Sequence, residues 1–135
     1  MPAFRRLLTT RRDEVFETLD ELHEFLAGCG LSDGARNAVE VASEELLANV
    51  WKYAYPEGEP GEAALEVIVG PDDVLLEIVD AGAPFDPTRV PAPPPLSLDS
   101  ARGGRGIHLV RSLSRSFTWR RDGIRNVVTV QIGAV

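Results

Sequence analysis

The chain has 135 residues, of which 44% are apolar and 26% charged, and this composition fits one globular domain with a real core. No apolar run approaches membrane-spanning length and no signal peptide opens the sequence, so we expect a cytoplasmic protein without a membrane partner. A single cysteine, Cys29, excludes a disulfide framework. The net charge of −7 argues against nucleic acid as the main partner.

Charge is distributed unevenly along the chain. Residues 1–12 hold four arginines, residues 13–86 hold nineteen acidic side chains against two basic ones, and residues 87–135 hold eight arginines against two acids. Two interpretations fit this pattern. The charges are solvated helix faces, or an acidic surface attracts a basic protein while the C-terminal arginines meet phosphate.

The predicted elements follow from the periodicity of apolar residues. The first strand is short and suits a sheet edge, and a long amphipathic helix follows Thr10 and ends near Gly28. Ser32 is the expected N-cap of a second helix. Gly-Pro-Asp-Asp and Asp122-Gly123 indicate two hairpins. The predicted strands cover residues 4–8, 64–69, 74–79, 116–121 and 124–132, and the later helices cover about 33–54 and 107–113.

Residues 83–102 contain six prolines, which exclude a regular helix or a central strand. A loop of this length in a small domain is either functional or disordered. The element order predicts a single α/β domain over residues 1–135. Its expected architecture is a two-layer sandwich, with a mostly antiparallel mixed sheet and helices on one face.

The second helix carries a polar stripe beside its apolar one. The apolar stripe comprises Ala35, Val39, Ala42, Leu46, Val50 and Tyr53. Glu45, Asn49 and Lys52 recur at i, i+4 and i+7 along its margin, whereas Glu44 turns toward solvent. Two interpretations remain open: a hydrogen-bonded pair with a lysine that reaches water, or a site for a polar ligand.

Asp80 shares one face of its strand with Val74, Leu76 and Ile78, so its carboxylate is predicted to point toward the helices. A carboxylate on a core face needs a hydrogen-bond donor. It either caps the strand end or accepts a bond from a polar ligand. A flat ligand could then approach the backbone closely at Gly82.

A glycine cluster, Gly103-Gly104-Arg105-Gly106, precedes the last helix. Backbone N–H groups at such a position bind phosphate, although a plain turn has the same composition. The spacing matches neither the dinucleotide-binding fingerprint nor the P-loop.

Three segments in order resemble a known family: residues 44–55 (EELLANVWKYAY), 80–86 (DAGAPFD) and 103–113 (GGRGIHLVRSL). Together they resemble the asparagine box and the two glycine boxes of the ATP-binding fold shared by DNA gyrase, sensor histidine kinases and the mismatch-repair ATPase. The proline-rich residues 83–102 are similar to its ATP lid. The length leaves no room for a transducer domain or a phosphoacceptor helix, so the chain most resembles the anti-sigma-factor serine/threonine kinases. This resemblance implies a Bergerat-type fold.

The resemblance also implies roles for individual residues. Asn49 would coordinate Mg²⁺, and Glu45 would be the general base toward the attacking hydroxyl. Asp80 would accept a bond from the adenine amino group, and Gly82 would admit the ring beside Pro84.

The second glycine box would hold the phosphates. Gly104 and Gly106 would bind them through backbone N–H groups, with Ile107 next to them, while Lys52 and Arg105 would add positive charge. Arg105 departs from the small or apolar residues common at its position in the family.

The resulting hypothesis is an ATP- and magnesium-dependent protein serine/threonine kinase that acts as an anti-sigma factor in a bacterial partner-switching system. Its expected partners are an antagonist protein, which it phosphorylates, and a sigma factor, and the resemblance implies a homodimer. Two alternatives stay open: a regulatory module that binds ATP without phosphotransfer, and a detached histidine-kinase catalytic domain.

Overall fold

The computed structural model describes residues 1–56, 59–89 and 105–134, and for Arg105 the backbone alone. Its strands are β1 (Ala3–Thr9), β2 (Glu62–Val69), β3 (Asp73–Asp80), β4 (Ser116–Asp122) and β5 (Arg125–Gly133). Its α-helices are α1 (Arg12–Ala27), α2 (Asp33–Asn49) and α3 (Arg105–Leu113). A π-helical turn (Val50–Ala54) extends α2, and a 3₁₀ turn (Pro87–Arg89) follows β3.

The five strands form one sheet in the order β1-β2-β3-β5-β4, with every pairing in it antiparallel. The described sheet is therefore antiparallel throughout rather than mixed. One face alternates as the sequence predicts: Leu65, Val67, Leu76, Ile78 and Val130 are at most 1% exposed. The helices cover this face, so the predicted two-layer α/β sandwich is confirmed.

Local signals explain how the elements begin and turn. Ser32 is the N-cap of α2, and its Oγ accepts a hydrogen bond of 3.1 Å from the Ala35 N–H, as predicted. The β4–β5 hairpin pairs Asp122 with Arg125, so its turn residues are Gly123 and Ile124, one position later than the sequence indicated. Gly123 has a φ of 60°, a conformation that favours glycine.

The end of the second helix differs from the prediction. The apolar stripe on α2 is buried as far as Val50, but Tyr53 is 50% exposed, and the prediction that it continues the stripe is wrong. Residues 50–54 form a π-helical turn, in which each residue advances by less than the 100° on which the stripe was drawn. Ala54 is buried instead.

The proline-rich segment is described only as far as Arg89, and residues 90–102 of the predicted lid lie outside the described residues. Its beginning has a defined local structure. The Asp86 carboxylate accepts bonds from the backbone N–H and the hydroxyl of Thr88, and Arg111 donates to the Thr88 carbonyl. None of the helices in the described ranges combines the length and apolarity that crossing a membrane requires.

Candidate functional site

A small cavity lies where the end of α2 and its π-helical turn meet β3, β5 and the segment after β3. Its volume is about 20 Å³, which is room for a single water molecule. Most of its wall is apolar. The lining residues are Leu46, Asn49, Val50, Ala54, Ile78, Asp80, Phe85, Pro87, Asn126 and Val128.

Asp80 provides the carboxylate in this wall. It is 7% exposed and faces the helices, so the predicted orientation is confirmed. Its Oδ1 accepts bonds of 2.9 Å from the Gly82 N–H and from Asn126 Nδ2. Among the described residues no hydrogen bond is made to Oδ2. Both protein donors therefore orient one carboxylate oxygen and leave the other available to a ligand.

Asn126 is a site residue that the sequence reasoning missed. It is 2% exposed and lies opposite Asp80 in the β3–β5 pairing. The missed signal was alternation, because Asn126 shares its face of β5 with Val128, Val130 and Ile132. A polar side chain on that face requires a partner as surely as Asp80 does.

The loop after β3 is held by side chains and backbone from two other parts of the chain, residues 54–55 and Arg121. The Ala81 N–H donates to the Tyr55 hydroxyl, and the Ala83 N–H donates to the carbonyl of Ala54. Arg121 donates to the Gly82 carbonyl over 2.8 Å. Burial raises the pKa of Tyr55, and the nearby charges of Asp80 and Glu62 raise it too, so its hydroxyl keeps its proton and donates to the Glu62 carbonyl.

Close packing explains the glycine at position 82, which the sequence did not suggest. A Cβ at this position would lie 2.6 Å from the carbonyl carbon of Ala54. The space that the sequence interpretation left for a ligand is therefore filled by the π-helical turn. A role for Gly82 in admitting a ring stays a prediction.

We expect Gly82→Ala to destabilise the fold by about 1–3 kcal/mol, because the added methyl group meets backbone that cannot rotate away. Urea denaturation measures this loss. Gly34→Ala is the matched control, since a Cβ there has no neighbour within 4 Å and the change should be neutral or slightly stabilising. A Gly82→Ala protein as stable as the wild type would contradict the packing role.

Glu45 and Asn49 lie one turn apart on α2, both half-buried, whereas Glu44 is exposed as predicted. The Asn49 amide lines the cavity, and its buried Nδ2 has no hydrogen-bond partner among the described residues. The Glu45 carboxylate faces the first turn of α3, where a Cβ at Gly106 would lie 2.5 Å from the carboxylate carbon. The structure thus brings the asparagine box and the second glycine box into contact.

Comparison of the sequence with known proteins identifies the family of this chain. Residues 8–132 match the family model described as the histidine kinase-like ATPase domain, which is well over half of the chain. The chain belongs to the histidine kinase-like ATPase domain family. The resemblance stated from the sequence is confirmed, and membership of this family implies ATP binding.

This histidine kinase-like ATPase domain is similar to two known proteins. The serine/threonine-protein kinase BtrW of Bordetella bronchiseptica is 35% identical over 91 residues, which are 65% of this chain and 64% of BtrW. The crystal structure of the RsbU and RsbW domains of a Mycobacterium tuberculosis protein has a TM-score of 0.68 at 14% identity and shows the fold. That match covers 98% of this chain and 32% of the other.

The other residues predicted for the nucleotide site of this ATPase domain are more scattered. Lys52 is exposed and lines a separate groove with Arg11, Arg12 and Trp51 rather than the cavity beside Asp80. Pro84 is exposed, whereas Ile107 is 4% exposed and packs in the core, so a contact of either residue with the nucleotide stays a prediction. Gly104 and the side chain of Arg105 lie outside the described residues.

A magnesium ion fits this ATPase domain only together with a nucleotide. Within residues 1–56, 59–89 and 105–134, no cluster of three or more His, Cys, Asp or Glu side chains forms a metal cage. Asn49 offers a single amide, which can turn its oxygen toward an ion. One side-chain oxygen suits Mg²⁺, which takes its remaining ligands from phosphates and water.

Asp80→Asn should weaken ATP binding by at least about 1.5 kcal/mol, roughly tenfold. The two donors at Oδ1 would keep the amide oxygen in place, so the new NH₂ group would face the cavity, where the adenine amino group is also a donor. Calorimetric titration measures the affinity. Asp73→Asn, at the other end of β3, is the control. Unchanged affinity in folded Asp80→Asn protein would remove the adenine role.

Proposed function

We propose that the chain is an ATP-dependent protein serine/threonine kinase and anti-sigma regulatory factor of a bacterial partner-switching system, which phosphorylates a small antagonist protein. The observation that carries this proposal is the pairing of Glu45 and Asn49, one turn apart, beside the cavity that Asp80 lines. The 35% identity with BtrW, a serine/threonine-protein kinase, supports the same reaction class.

In the proposed complex, the adenine amino group donates to Asp80 Oδ2, and the apolar wall of the cavity contacts the ring. The phosphates extend from there toward α3, whose N-terminal N–H groups and positive dipole end favour anions. Asn49 lies between these two regions, since it lines the cavity and is one turn from Glu45, which faces Gly106.

Phosphoryl transfer then requires little covalent chemistry from the protein. Glu45 accepts the proton of the partner's serine hydroxyl as that oxygen bonds to the γ-phosphorus. The bond from the γ-phosphorus to its bridging oxygen breaks, and ADP carries away that electron pair. Asn49 would hold Mg²⁺, which would neutralise phosphate charge when bound.

The test is phosphotransfer by the wild-type protein. Incubation with γ-labelled ATP and antagonist-like proteins encoded near its gene should transfer label to serine. Tight ATP binding without transfer to any of them would favour a regulatory module. Transfer to a histidine of a separate protein would favour a detached histidine-kinase domain instead. Failure to bind ATP would contradict all three functions.

The proposed homodimer and the proposed sigma-factor partner are tested separately from the kinase activity. We propose a homodimer that holds a sigma factor when the antagonist protein is phosphorylated. Sedimentation equilibrium reports the oligomeric state, and pull-down with the purified sigma factor reports its capture. A monomer at micromolar concentration would contradict the homodimer while leaving the kinase proposal in place.

A further inference from the structure

Asn126 uses the full hydrogen-bonding capacity of its amide. Its Nδ2 donates to Asp80 Oδ1 over 2.9 Å and to the Ala83 carbonyl over 2.8 Å. Its Oδ1 accepts from the Phe85 N–H at 3.2 Å and from Trp119 Nε1 at 3.0 Å. One buried side chain thus joins the adenine-facing carboxylate, the segment after β3 and the edge strand β4.

The segment that Asn126 holds is also the part of the cavity wall that lies outside the helices and strands. Phe85 and Pro87 form this wall, while the opposite walls belong to α2, β3 and β5 in the core. A space for one water molecule cannot admit a purine ring. A base bound at Asp80 therefore extends past Phe85 and Pro87 or displaces them. Phe85 also stacks on Tyr53 with a centroid distance of 5.2 Å, which places both rings at the edge of this wall.

We propose that Asn126 is a positioning residue that couples adenine recognition at Asp80 to the placement of residues 83–89, where the predicted lid begins. The inference rests on the proposed function, because it requires ATP in this cavity. A base bonded to Asp80 Oδ2 fixes the carboxylate. The Asn126 amide transmits that constraint to the Ala83 carbonyl and the Phe85 N–H. Without Asn126, an occupied cavity no longer orders the start of the lid.

Residue-resolved hydrogen exchange tests the coupling, because the Phe85 N–H bonds to Asn126 and the Ala83 N–H bonds to Ala54 instead. In Asn126→Ala we expect Phe85 exchange without nucleotide to become at least about tenfold faster, with little change at Ala83. Saturating Mg-ATP should slow Phe85 exchange in the wild type several-fold. It should leave Phe85 exchange in Asn126→Ala unchanged, while ATP affinity falls about tenfold.

A second variant separates the two sides of the amide. Asn126→Asp keeps the oxygen that accepts from Phe85 and places a second carboxyl group against Asp80, where two buried carboxylates hold one proton between them. While that proton is held, the bond to Asp80 persists and ATP should protect Phe85 as in the wild type. At a pH high enough to remove the shared proton, ATP should add no protection at Phe85, a pH dependence that loss of packing alone does not produce. Thr129→Val, on the same strand and the opposite face, should behave as the wild type. Asn126→Ser, too short to bridge both groups, replaces the alanine variant if that protein does not fold.

The outcomes distinguish this inference from the function on which it rests. ATP-induced protection of Phe85 in Asn126→Ala equal to that in the wild type would overturn the coupling, with ATP binding intact. Equal ATP-induced protection of Phe85 in Asn126→Asp with and without the shared proton would overturn the role of the Asp80 bond. A wild-type protein that binds no ATP would contradict the proposed function itself.

Discussion

Glu45→Gln is expected to slow phosphotransfer to the antagonist protein by about 10²–10⁴, the usual contribution of general-base assistance. The ATP affinity of this variant should stay close to that of the wild type. The Glu45 carboxylate is half-buried against Gly106, one turn from Asn49. Glutamine keeps its shape and its hydrogen bonding, so the nucleotide site persists. What the variant loses is the ability to take the serine proton.

The neighbouring carboxylate provides the control for this measurement. Glu44 is exposed on the same helix, so Glu44→Gln changes the net charge equally without touching the site, and its rate should match the wild type. Single-turnover phosphotransfer with ATP and the antagonist at saturation isolates the chemical step. A Glu45→Gln protein that phosphorylates the antagonist as fast as the wild type would exclude Glu45 as the base.

Much of the fold followed from short-range patterns in the sequence. Alternation along β2 and β3 identifies the buried face because one face of an antiparallel sheet meets the helices. The Ser32 cap and the turn at Gly123 depend on neighbouring residues alone. The orientation of Asp80 was also predictable from its neighbours, because alternate side chains of a strand point to the same face.

The contacts that complete the site depend on distant parts of the chain. Asn126 and Arg121 reach the loop after β3 through the β3–β5 and β4–β5 pairings, which hydropathy does not rank against other partners. The π-helical turn changes which residue faces inward, so Ala54 replaces Tyr53 at the core. Local helix propensity contains no signal for such a turn, because tertiary contacts such as the Ala83–Ala54 bond accompany it.

The sequence drew attention to Gly106 for one reason, and the structure shows a different contact at this residue. The cluster Gly104-Arg105-Gly106 suggested phosphate binding through backbone N–H groups, which stays a prediction. In the described structure the missing side chain of Gly106 makes room for the Glu45 carboxylate. A larger side chain at this position would therefore disturb the proposed base as well as the predicted phosphate contacts.

Asn49→Ala is expected to abolish the magnesium-dependent part of ATP binding together with turnover, while making the folded protein slightly more stable. Within the part of the chain that the structure describes, the buried Asn49 Nδ2 has no hydrogen-bond partner, and burying an unpaired amide group destabilises the ligand-free fold. Removing it should stabilise the fold by about 1 kcal/mol in urea denaturation. Residues retained for function at the expense of stability behave in this way.

Asn37→Ala controls for helix propensity, because Asn37 is exposed on the same helix and the substitution is also asparagine to alanine. The stability gain of Asn49→Ala should exceed that of Asn37→Ala. ATP titrations with magnesium and with a chelator then measure the metal contribution to affinity. That contribution should vanish in Asn49→Ala and persist in Asn37→Ala. If magnesium strengthens ATP binding equally in both variants, Asn49 does not hold the ion, and its orphaned amide needs another explanation.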